Sequence, residues 1–184
     1  RVYVDSKNRR FGEIVNNWFD IAKINLKPSS INKYQNLIEN HILPELGHHK
    51  LKELNSDVFH AFLKKQGNTG NKKTGGALSI STLRTVSYIL NSSIKYAASN
   101  NMVALFSVHL YGAGRSTPPV SCLEEKDEFD LDTYLSTHLS CRNVGIMLSL
   151  YCGLRFGEVC GLQWEDIDID IGSHSVTRKV QRIR

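Results

Sequence analysis

The chain has 184 residues, of which 41% are hydrophobic and 22% charged, with a net charge of +5. That is ordinary globular material, so a disordered tail is excluded. No run reaches the ~20 apolar residues of a membrane span; the longest apolar cluster, Val144 to Leu154, is broken by Gly145, Ser149 and Gly153. Residues 1–30 are charged throughout and hold no apolar signal core, and the chain starts at Arg1, so an upstream start is expected.

In chain order, Phe11 to Leu26 places Phe11, Ile14, Val15, Trp18, Phe19 and Ala22 on one helical stripe. Pro28, Ser29 and Ser30 are expected to stop this helix, with Ser30 capping a second that buries Ile31, Tyr34, Leu37, Ile38 and Ile42 and ends at Pro44 and Gly47. Asn55 or Ser56 caps a third, with Val58, Phe59, Phe62 and Leu63 inward and Gly67 as its stop. Residues 67–76 read as a loop of Gly, Asn and Lys. Ser79 or Ser81 opens a fourth helix striped by Leu83, Val86, Leu90, Ile94 and Ala97 and closed by Asn100 and Asn101. Gly112, Gly114, Pro118 and Pro119 mark a linker. Beyond it come an acidic helix over 124–139, an apolar and buried helix over 143–151 ended by Gly153, a short helix over 154–162, a turn over 166–170 and a half-exposed strand over 176–183.

Charge divides the chain at that linker. Residues 1–118 hold sixteen Lys and Arg against seven acids, whereas residues 119–184 hold seven against eleven. No acid occurs between Asp57 and Glu124, a stretch that carries Lys64, Lys65, Lys72, Lys73, Arg84, Lys95 and Arg115. A one-signed block suits a polyanion partner; the alternative is a solvated basic face that serves solubility. Cys122, Cys141, Cys152 and Cys160 form no CxxC pair, which suits free thiols in a reducing compartment and buried or incidental roles. The seven histidines lack metal-ligand spacing, and His41 reads as a structural side chain at a helix end.

The segment Gly153-Leu154-Arg155-Phe156-Gly157-Glu158 carries the sharpest chemistry. A glycine hinge sets Arg155 in the first turn of a new helix, where its guanidinium can fork onto phosphate oxygens. Glu158, three residues on, shares its face and can orient it. Gly157 and Gly161, four apart, leave a bare strip for another element to pack against. The bland alternative is an exposed ion pair.

The full run from Gly153 to Asp168, ending Leu162-Gln163-Trp164-Glu165-Asp166-Ile167-Asp168, resembles the box around the first catalytic arginine of tyrosine recombinases, roughly T-G-L-R-x-G-E-L-x-x-L-x-W-x-D-I-D. Cys152 stands where Thr is commoner. Trp18, Ser30 to Tyr34 (with Ile31 in the usual Thr place), His41-Ile42-Leu43-Pro44-Glu45-Leu46-Gly47, Lys50 to Leu54, and Lys95-Tyr96-Ala97 with Asn100 resemble the core-binding domain of phage and conjugative-transposon integrases. Val180-Gln181-Arg182 is similar to the strand after the arginine box in the conjugative-transposon branch.

The resemblance implies a mainly α chain. A four-helix core-binding domain over 10–110 leads through a linker over 111–122 to the truncated start of an α+β catalytic domain over 123–184, with 1–9 the stump of an upstream segment. It implies a site-specific recombinase that binds duplex DNA and, at full length, cuts and rejoins it through a phosphotyrosine. Arg155 is the catalytic residue, Glu158 supports it, and Lys64, Lys65, Lys72, Lys73, Arg84 and Lys95 meet DNA. Asn32, Gln35, Ser81, Thr82 and Ser87 are candidates for reading bases, against ordinary polar surface. No cofactor or metal is implied; double-stranded DNA is the partner, a homotetramer the assembly on it, and the cytoplasm the place.

The family's Lys lies beyond Arg184, His138 and His174 lack an Arg three residues on, and all seven tyrosines precede Arg155. This chain by itself is therefore expected to bind DNA without cutting it. Two alternatives stand beside that expectation: a non-catalytic DNA-binding regulator, and a helical module whose basic face meets an acidic protein.

Overall fold

The computed structural model describes residues 8–72, 74–110 and 121–180. The chain divides into two compact units, Arg1–Arg115 and Ser116–Arg184. The described residues are mostly helical, with one small two-stranded sheet.

In the first unit, α1 (Phe11–Ala22) buries Phe11, Ile14, Val15 and Phe19, with Trp18 half-buried beside them. A 3₁₀ turn, Lys23–Asn25, ends it. The second helix starts earlier than the sequence suggests: α2 (Pro28–Leu37) takes Lys27 as N-cap and Pro28 at its first position. Proline fits there because its missing N–H would have no partner and its φ is already helical. Pro44 does not stop the chain either. A π turn at Ile38–Ile42, where the Leu43 N–H reaches Ile38 O, leads directly into α3 (Leu43–Leu46). Widening the helix one turn before the proline accommodates the ring that a regular turn would crowd.

Asn55 caps α4 (Ser56–Thr69), its side chain accepting from Val58 N at 2.9 Å. Gly67 lies inside this helix, which ends at Gly70, so a glycine within a packed helix was overridden by tertiary contacts. Ser79 caps α5 (Ile80–Ser99) through Thr82 N, and Asn101, at φ 57°, turns the chain out of it. Residues 102–110 return over α5. Asn91 clasps the backbone of Val108, accepting from its N–H at 2.8 Å and donating to its carbonyl at 2.9 Å. The apolar stripes of α1, α2, α4 and α5 meet in one cluster centred on Phe11, Ile14, Phe59, Leu90 and Ile94, all 0% exposed.

The second unit opens with α6 (Glu125–Thr137) and α7 (Cys141–Cys152), the latter capped by Ser140. Tyr151 of α7 hydrogen-bonds to Asp132 of α6, and that bond is the main reason its phenol titrates above the usual range. The expectation that α7 is buried is corrected: no residue of α7 is buried, and Val144, Ile146, Leu150 and Tyr151 are exposed. An apolar face is buried only where another layer covers it, and the described part of this unit supplies few covering elements. After α8 (Phe156–Val159) and a 3₁₀ turn at Trp164–Asp166 come β1 (Ile167–Asp168) and β2 (Ser173–His174), paired antiparallel around Gly172 at φ 63°. The expected strand over 176–183 makes no ladder in its described part, 176–180; residues 181–183 lie outside the described residues, as do Lys73 and the linker residues 111–120. The four cysteines are free and exposed, not buried.

Candidate functional site

The arginine corner is built by backbone conformation. Gly153 takes the left-handed conformation, φ 67°, that a side chain would strain, and it ends α7 sharply. Leu154 then tucks in at 7% exposure, and Arg155 follows in extended conformation as the N-cap of α8. Arg155 is thus one position earlier than the expected first helical turn. Its carbonyl accepts from Glu158 N and Val159 N at 2.8 and 3.0 Å.

Glu158 holds Arg155 at two points. One carboxylate oxygen accepts from Arg155 N at 2.9 Å, as an N3 carboxylate does in a capping box, and the other lies 3.4 Å from the guanidinium. The Arg155 side chain is 86% exposed, whereas that of Glu158 is 19% exposed. The carboxyl of Glu158 titrates below the usual range, chiefly through the Arg155 N–H, with the guanidinium and Lys179 adding to it. A permanently charged fork is therefore anchored at its base and open at its tip.

The strip left by Gly157 and Gly161 is used. Val180 N donates to Gly157 O at 2.8 Å. A Cβ on Gly157 would meet Val180 O at 2.7 Å, and one on Gly161 would meet the backbone of Arg178 and Lys179 at 3.1 Å. Residues 177–180 lie flat on the start and end of α8 only because both positions lack side chains.

Asp166, 8% exposed, fixes that segment from its other end. It accepts from Gln163 N at 2.9 Å, Thr177 Oγ1 at 2.9 Å and Arg178 at 3.1 Å. Arg178 also donates to Gln163 and, at 2.6 Å, to Glu165. These bonds, led by that from Gln163 N, hold the Asp166 carboxyl below its ordinary range. Those to Glu165 and Asp166 raise Arg178 above its own. Sequence reasoning missed Asp166 and Arg178, because partners twelve residues apart leave no local signal.

In the first unit Lys64, Lys65, Lys72, Arg84 and Lys95 are all exposed. Arg84 and Lys95, eleven residues apart on α5, project from one side of it, since eleven residues complete about three turns. Lys65 is already engaged: its Nζ lies 3.0 Å from Glu45. Among the candidate base readers, Ser87 is corrected: it is 7% exposed and donates to Val108 O at 3.2 Å. Gln35 donates to Glu39 at 2.9 Å, and Thr82 pairs with Ser79 at 2.8 Å. Among the described residues no helix is long and apolar enough to cross a membrane.

Residues 10–66 match the family model of the phage integrase N-terminal SAM-like domain. A protein named tyrosine recombinase XerC-like, from Caldanaerobacter subterraneus subsp. tengcongensis, is 22% identical over 191 aligned residues. That alignment covers 98% of this chain and 46% of the relative, so the chain spans about half the relative's length. No solved structure matches. With the helical first unit, these matches support a relationship to the tyrosine recombinase and phage integrase family.

Proposed function

We propose that the chain is the DNA-gripping and early catalytic part of a site-specific recombinase that acts on duplex DNA in the cytoplasm. The observation that carries this reading is the Arg155 guanidinium, anchored through Glu158 yet 86% exposed at its tip. A fork held in that way can stabilise charge on a crowded phosphate as a nucleophile attacks. Cleavage by an enzyme of this kind forms a bond from a tyrosine oxygen to phosphorus and releases a sugar hydroxyl; rejoining reverses the exchange, so no metal or nucleotide is consumed. Arg155 is the residue assigned to that phosphate, and Glu158 is its positioning residue.

Residues 10–110 act as the core-binding domain and residues 123–184 as the start of the catalytic domain. Lys64, Lys72, Arg84 and Lys95 contact backbone phosphates, as does Lys73, whose structure is not described. Phosphate contacts set register and affinity without reading sequence. The nucleophile, the H-x-x-R pair and the catalytic lysine belong to further chain, which also covers the exposed apolar side chains of the second unit. The length of the relative supports this. The complete protein assembles as a tetramer on its sites.

Two measurements test the reading. Binding of this chain to a duplex should fall steeply with salt, each phosphate contact adding about 0.9 to the slope of log affinity on log salt. A flat dependence would remove the basic block as a DNA surface. In the complete protein, Arg155→Ala should abolish strand cleavage while binding persists; surviving cleavage would take Arg155 out of the active site.

A further inference from the structure

A buried polar relay lies behind the basic loop. His41, in the π turn, is 9% exposed, and its Nδ1 sits 2.9 Å from Gln66 Oε1. The amide nitrogen of Gln66 donates to Glu45 Oε1 at 2.8 Å, and the other oxygen of Glu45 takes Lys65. Since the nitrogen of Gln66 is committed to a carboxylate, its oxygen faces the imidazole, and His41 Nδ1 carries the hydrogen.

The backbone of the same residue closes the loop. Gly70 N and Leu78 N both donate to Gln66 O, at 3.0 and 3.1 Å. The segment bearing Lys72 therefore leaves from and returns to the backbone carbonyl of the residue whose side chain is held by His41 and Glu45. Gln66 is 4% exposed, and a Cβ on Gly70 would lie 2.5 Å from both Gln66 O and Gln66 Oε1. Beyond Gly70, Asn71 N bonds to Gly76 O and Gly75 N to Asn71 O, at 2.8 and 2.7 Å. A buried amide with a partner on both its nitrogen and its oxygen favours one geometry, which an apolar side chain of equal size would not.

We propose that Gln66, held by His41 and Glu45, is a positioning residue for Lys72, setting the pose in which Lys72 meets a DNA phosphate. This rests on the DNA-binding reading above. A loop ordered beforehand does not lose its freedom on binding, so its lysine contributes more of its contact to affinity.

The test uses this chain and a short fluorescent duplex, with affinity measured against salt for the unaltered chain, Gln66→Met, Lys72→Ala and the pair together. Methionine keeps the volume and helix propensity of Gln66 and removes both side-chain bonds. Lys72→Ala should lower the slope by about 1. Gln66→Met should lower it by a similar amount, and the double variant should be no worse than Lys72→Ala, because both act on one contact. Gly70→Ala provides a second route: its φ of −74° suits alanine, and the added methyl meets Gln66 itself. Folded variants that keep the unaltered slope, or whose losses add to that of Lys72→Ala, overturn the proposal and leave DNA binding intact. A flat salt dependence in the unaltered chain overturns both.

Discussion

The two units differ in how their apolar side chains are used. In the first, nineteen apolar residues from α1 to α5, the turns between them and the returning segment form one continuous cluster. In the second, Leu135 and Leu154 are the apolar residues buried among those described, while Phe129, Phe156 and Trp164 are 70%, 83% and 82% exposed. Both units nevertheless have well-formed helix ends: Asn55, Ser79 and Ser140 each accept the backbone N–H of the residue three positions on. The contrast teaches that caps and hinges are local and form wherever their residues stand, whereas a core needs enough layers to cover it. The arginine corner belongs to the local kind. It is shaped by Gly153, Glu158 and the strap over 177–180, with little hydrophobic support.

The largest expected effect sharpens that contrast directly. Phe59→Ala, at a site with 0% exposure, should cost about 3–5 kcal/mol in chemical denaturation. Ile146→Ala, in α7 and 41% exposed, should cost under about 1 kcal/mol, since little area is removed from water. Equal losses would break the comparison and show α7 to be packed in solution.

A smaller effect concerns the strap. Gly157→Ala would push a methyl against Val180 O and should cost about 1–3 kcal/mol, with loss of amide-exchange protection at Val180. The first unit should keep its protection unchanged. Retained protection at Val180 would mean that the strap does not depend on the bare strip.

The smallest effect is a pH dependence. Glu158 and Asp166 are depressed in the folded state, so on acidification the unfolded chain takes up their protons first. Their stabilisation is full above the ordinary carboxylate range of ~4 and is lost as pH falls through the lower folded-state values. Carboxyl chemical shifts followed by NMR should show both groups titrating below free glutamate and aspartate. Ordinary midpoints would mean that the corner and strap are open in solution.

Much of the first unit was legible in advance. The stripes of α1, α4 and α5, the caps at Asn55 and Ser79 and the exit at Asn100–Asn101 follow from periodicity and side-chain chemistry. Pro28, Pro44 and Gly67 misled, because each is a breaker in isolation and each was absorbed by context: a first-turn position, a π turn and a packed helix. In the second unit the hinge at Gly153, the Arg155–Glu158 pair and the close approach at Gly157 and Gly161 were readable from spacing alone.

By itself, then, the sequence determined the helices, the basic block without acids, and the corner that presents one arginine, because these depend on neighbours within a few positions. Only the tertiary structure decided that α7 stays uncovered, that Asp166 and Arg178 bind the strap, and that Gln66 ties His41 and Glu45 to the basic loop. Those outcomes depend on which residues far apart in the chain meet, and a hydrogen bond between distant side chains leaves no periodicity to read.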